Sequence, residues 1–147
     1  MKPGPSSGPN PASPATVFAA WADPALKQRW FTAGGSPYSS DFRVGGAEST
    51  VTPGGVAPLI TYEAVYRDIV ENERIVLTYE MSIDRRRMSI AVVTVEFAAA
   101  ESGTRLTYTE LGVYLDDLDT MARRRGGVGT QLEQLGKQLD DSQASDS

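Results

Sequence analysis

The residues able to do chemistry are few, and their types limit what that chemistry is. Among 147 residues there is no His and no Cys. Imidazole is thereby excluded as general base and metal ligand, thiolates are excluded as nucleophiles and zinc ligands, and no disulfide can form. Carboxylates, tyrosines, lysines and arginines remain. Glu110 is the most informative carboxylate, because the alternation over residues 104–113 puts it on the same face as Leu106 and Tyr108. Burial there would raise its pKa and suit it to act as an acid, a base or a ligand-orienting group. The plainer reading is that it reaches solvent or an Arg near the strand end. No residue is assigned as catalytic, and Glu110 is the one candidate.

A second set is mostly aromatic. Trp21, Trp30, Phe31, Tyr62, Tyr66, Tyr79, Met81 and Tyr108 are predicted to face inward, and Val128 faces them from a C-terminal helix. Aromatic residues dominate ordinary cores. Four inward tyrosines, however, bring hydroxyls that need partners, which suits a partly polar ligand pocket that also includes Glu110. Asp68 reads as a turn cap or ion-pair partner, and Asp41 and Arg43 as structural residues of a strand turn. The arginines at 85–87 and 123–125 read as a solvated turn and a solvated helix face.

The elements that must position these residues follow from periodicity. Residues 1–13 hold four of five closely spaced prolines (Pro3, Pro5, Pro9, Pro11, Pro14) among Gly, Ser and Asn, and are expected to form a disordered or extended tail. Ser13-Pro14 and Asp23-Pro24 each pair an N-cap with a proline at the first helical position, predicting two short helices, through Trp21 and to near Trp30. Strands are predicted over 40–44, 47–52, 59–70, 75–83, 88–98 and 104–113, joined by short turns as an antiparallel meander. A long helix is predicted over 117–139, with Leu118, Met121, Val128, Leu132, Leu135 and Leu139 on one face. Asp116, Asp117 and Asp119 fall at its positive end, and Asp119 is placed to pair with Arg123. Gly126, Gly127 and Gly129 interrupt it at a cost of about 2–3 kcal/mol relative to alanine. They imply a kink, close contact with the sheet or room for a ligand. The expected arrangement is one α+β domain over 14–140, a curved sheet of about six strands wrapped on the C-terminal helix, with a polar acidic tail at 141–147.

The bulk numbers narrow the partners. A net charge of −5 argues against non-specific binding to nucleic-acid phosphates. No apolar run approaches a membrane span, and the N-terminus lacks a signal-peptide layout, so a cytoplasmic location away from membranes is expected.

The order of elements resembles the helix-grip fold of the START/SRPBCC superfamily, which includes polyketide cyclases and birch-pollen-allergen-like proteins. Val17-Phe18-Ala19-Ala20-Trp21-Ala22-Asp23-Pro24 with Trp30-Phe31, then Asp41-Phe42-Arg43-Val44-Gly45-Gly46, Asp68-Ile69 before Glu73-Arg74-Ile75, and Gly103-Thr104-Arg105-Leu106-Thr107 resemble the family of the activator of the 90-kDa heat-shock protein ATPase. Two departures stand out. Gly127-Val128 replaces a Gly-Trp pair frequent in the family, and the Pro-rich tail occupies the place of the family's first strand. Loss of that strand would leave residues 104–113 as an open edge, to be covered by a loop or by a second copy in a homodimer. The resemblance implies a binding module for an apolar or aromatic small molecule, without cofactor or metal, in a cavity between sheet and helix. The alternatives are a chaperone-activator-like interaction module and a cyclase-like enzyme using Glu110 with a tyrosine.

Overall fold

The protein is seen in a computed structural model that describes residues 6–10, 12–32, 35–55, 58–115 and 121–145, with side chains at 12–32, 35–55, 58–115 and 126–140. Strand β1 (Ser6–Asn10) is followed by helices α1 (Pro14–Ala22) and α2 (Pro24–Phe31). Strands β2 (Tyr38–Ser40), β3 (Ala47–Val51), β4 (Ile60–Val70), β5 (Arg74–Ile83), β6 (Arg86–Ala100) and β7 (Gly103–Tyr114) come next, and helix α3 (Met121–Ser145) closes the chain. This is the α+β helix-grip arrangement.

Both short helices begin as their capping residues dictate. The Ser13 hydroxyl accepts from the Thr16 N–H at 3.2 Å, and the Asp23 carboxylate accepts from the Ala25 N–H at 2.9 Å, satisfying donors that the first helical turn leaves open. Asp23 both ends α1 and starts α2. The tight corner packs Trp21 against Trp30, with ring centroids 4.7 Å apart, and the Trp30 indole donates to the Ala20 carbonyl at 3.0 Å.

Strands β2 to β7 form an antiparallel meander in which each pairs with its chain neighbour. Their inward residues are those that alternation selects: Tyr62, Ala64 and Tyr66 on β4, Ile75, Leu77 and Tyr79 on β5, and Ala91, Val93, Val95 and Phe97 on β6 are all buried. The β5–β6 turn places Asp84 and Arg85 at φ 47° and 69°, the paired left-handed conformation of a two-residue hairpin turn.

The seventh strand corrects the reading of the N-terminus. Residues 6–10 do not form a free tail: β1 pairs antiparallel with β7, Ser6 opposite Tyr108 and Asn10 opposite Thr104. The family's first strand is therefore present, and the chain itself covers the edge at 104–108. Composition misleads here because proline is tolerated on an edge strand, where its missing N–H can face outward, and because β7 supplies the partner a proline-rich segment lacks alone. Ala12 and Thr104 pin the segment: both are fully buried, and the Thr104 hydroxyl donates to the Ala12 carbonyl at 2.7 Å.

Helix α3 lies across the concave side. Val128, Leu135 and Leu139 are buried, and Leu132 packs against the core. Two glutamines fasten it to α2: Gln131 Nε2 donates to the Phe31 carbonyl at 2.9 Å, and Gln138 Nε2 to the Leu26 carbonyl at 3.1 Å. Residues 141–145, expected as tail, continue the helix. The expectations for Asp116, Asp117, Leu118 and Asp119, and for the side chains of Met121, Arg123, Arg124 and Arg125, lie outside the described residues. The helix is continuous through its glycines, and a Cβ added at Gly126, Gly127 or Gly129 would meet nothing within 4 Å. Close contact with the sheet is therefore not their role.

Candidate functional site

Between α2, α3 and the concave sheet lies a cavity of about 280 Å³. Its floor is Ile60 and Tyr62 of β4, Leu77, Tyr79 and Met81 of β5, Val93 of β6 and Tyr108 of β7. Trp21 of α1 and Lys27, Trp30 and Phe31 of α2 form one side, and Gly127, Val128, Gln131 and Leu132 of α3 form the roof. Thr32, Ser36, Thr50 and Thr52 give a more polar edge. Ring against ring, Phe31 meets Tyr62 at 5.2 Å and Tyr62 meets Tyr79 at 5.1 Å, so much of the wall is aromatic faces and edges.

Of the residues singled out in the sequence, Trp21, Trp30, Phe31, Tyr62, Tyr79, Met81, Tyr108 and Val128 come together on this surface. Two do not. Tyr66 faces inward but sits further along β4, where its ring packs on Phe42 at 5.0 Å and its backbone N–H donates to the Gly46 carbonyl at 3.0 Å. Glu110 is buried at 4% exposure, so it does not reach solvent, yet it lies one inward position beyond Tyr108 and off the cavity wall. The Tyr108 hydroxyl donates to its Oε1 at 3.0 Å. Asp68 accepts from Arg74 Nε at 2.5 Å in an exposed ion pair, and Asp41 accepts from Arg43 Nε at 2.8 Å in another.

A charged pair absent from the sequence reading meets at the cavity wall, which Lys27 lines and Glu48 does not. Lys27 Nζ lies 2.6 Å from Glu48 Oε2, with the two side chains 2% and 0% exposed. The Glu48 carboxylate also accepts from the hydroxyls of Tyr38 at 2.5 Å, Tyr62 at 2.8 Å and Tyr66 at 3.0 Å. Register explains the convergence. Ser40 and Ala64 flank Glu48 across β2 and β4, while Tyr38 and Tyr62 flank Thr50, so these side chains share the inward face.

Burial alone would push the Glu48 carboxyl up; the Lys27 ammonium and the hydroxyl donors outweigh it and hold the group below its ordinary value. Burial and the adjacent carboxylate raise all three tyrosines well above theirs. The site thus holds an ionised carboxylate and neutral phenols. The ammonium is ringed by cavity aromatics, 4.4 Å from the Phe31 centroid, 5.1 Å from Trp21 and 5.8 Å from Trp30.

A lysine three residues before Trp30 and four before Phe31 shares their helical face, and this was the available sequence signal. Glu48 gave less, since a short polar strand beside two glycines reads as a surface hairpin.

Comparison with known proteins adds the family. None of the curated proteins matches the sequence. Among solved structures, an uncharacterised protein from Rhizobium leguminosarum is 35% identical with a TM-score of 0.89, covering 93% of each chain. A protein from Rhizobium loti is 38% identical with a TM-score of 0.87, over 94% of this chain and 97% of that one. An AHSA1-like protein from Aeromonas hydrophila, at 18% identity and a TM-score of 0.69 over 97% and 94% of the two chains, shares the fold. Residues 11–140 match the family described as Activator of Hsp90 ATPase homolog 1-like protein, and the chain belongs to that family, of START/SRPBCC type.

Proposed function

We infer that the protein is a binding module for an apolar, aromatic small molecule held between the sheet and α3. The observation that carries this is the aromatic-walled cavity of about 280 Å³ whose roof includes a bare glycine, Gly127. That volume falls near the lower end for ligand sites and suits one small molecule. The test is a fluorescence titration with the neutral probe N-phenyl-1-naphthylamine, on the wild type and on Val128→Trp, which fills the roof. Saturable binding by the wild type and its loss in a folded Val128→Trp are expected. Absence of saturable binding by the folded wild type contradicts the reading.

The family description favours one further reading, contact with the 90-kDa chaperone. Stimulation of that chaperone's ATPase by the purified protein would support it; an unchanged rate with no complex in sedimentation would dismiss it.

A further inference from the structure

The hydrogen-bonding groups around the cavity are unevenly disposed. The hydroxyls of Thr32, Thr50 and Thr52 donate to the carbonyls of Gln28 at 2.8 Å, Pro37 at 2.7 Å and Pro58 at 3.3 Å, and the Tyr62 proton goes to Glu48. With their protons so committed, those oxygens are left with acceptor capacity only. The Lys27 side is the reverse. An ammonium carries three N–H donors, and the described contacts of Lys27 are one carboxylate oxygen and three aromatic faces. Trp21 Nε1, buried on the same side, has no hydrogen-bond partner among the described residues. Among the described residues, that end has donors to spare and no acceptor for them beyond Glu48. Charge narrows the acceptor further. Lys27 is the sole charged side chain among the described lining residues, and Glu48 already balances it at 2.6 Å. An anion would bring a second negative charge into a buried neutral pair, whereas a neutral oxygen would not.

We propose that the cavity selects a neutral, ring-bearing compound with one carbonyl-type oxygen that accepts a hydrogen bond from Lys27. This rests on the cavity reading above and specifies its ligand class. The test compares isosteric probes by calorimetric titration: fluorene, 9-fluorenone and fluorene-9-carboxylate. The wild type should bind 9-fluorenone roughly tenfold or more tighter than fluorene, the range of a hydrogen bond from a charged donor, and should bind the carboxylate more weakly than the ketone. The carbonyl stretch of bound 9-fluorenone should move to lower wavenumber than in hexane, a readout that needs no variant. In Lys27→Met/Glu48→Gln, which removes both charges and keeps an acceptor for the tyrosines, the ketone preference and the infrared shift should disappear. Equal affinity of the wild type for fluorene and 9-fluorenone overturns the proposal but leaves the cavity reading standing, as does tighter binding of the carboxylate or a preference that survives in the folded double variant. Binding of none of the three overturns both.

Discussion

Glu48 and Lys27 set the energetics at the scale of single residues. A buried ion pair is weak evidence of net stabilisation, but breaking one by deleting a partner strands the other charge. Glu48→Ala leaves the Lys27 ammonium among Trp21, Trp30 and Phe31 and should cost about 3–5 kcal/mol in urea unfolding. Lys27→Met/Glu48→Gln should cost much less than the sum of the single changes, since no charge remains; additive costs would show that the pair is not coupled. The shifts also fix a pH window. Glu48 is depressed in the fold, so its contribution is complete above the ordinary Glu value of about 4.3 and is lost as pH falls through the folded value. Tyr38, Tyr62 and Tyr66 are raised, so their contribution is complete below about pH 10 and declines above it, where the unfolded chain gives up its phenol protons first. The urea midpoint should therefore plateau between those limits, with a flatter acid limb in Glu48→Gln. The aromatic wall is legible in the sequence because alternation assigns large apolar residues a face. The pair is not, because charged residues belong by default to solvent.

Among the elements, α3 and β1 carry the predictions. At Gly127 an added methyl meets nothing within 4 Å, so Gly127→Ala should gain about 1 kcal/mol of helix propensity in thermal unfolding. At Gly46 the outcome reverses. A Cβ there would lie 2.0 Å from the Asp41 carbonyl oxygen, and Gly46→Ala should cost about 2 kcal/mol or more. Deleting residues 1–11 uncovers β7 at 104–108, and an exposed edge invites self-pairing. Faster amide exchange along that edge and concentration-dependent association in sedimentation are expected. Exchange already fast in the full chain would contradict the β1 pairing. Periodicity makes the meander and both short helices readable in the sequence. It is blind to β1, whose Ser6-Ser7-Gly8-Pro9-Asn10 has no apolar pattern and owes its strand form to the partner edge.

For the whole molecule, the order of helices, meander and closing helix follows from the sequence, because each element declares its own period and caps. A cavity does not follow in the same way. It is a deficit of side-chain volume where three elements meet, and it depends on distances no linear pattern contains. The outer face of the sheet offers a competing apolar surface, where Ile90 lies opposite Val113 and Val92 opposite Leu111, all exposed. Hydrophobic probes could therefore bind outside as well as in. The measurement that decides is a crystal structure grown with N-phenyl-1-naphthylamine. Ligand density bounded by Trp21, Tyr62, Tyr108 and Val128 is predicted, and a probe seated only on the outer strands, with the interior closed by its own side chains, would contradict the account.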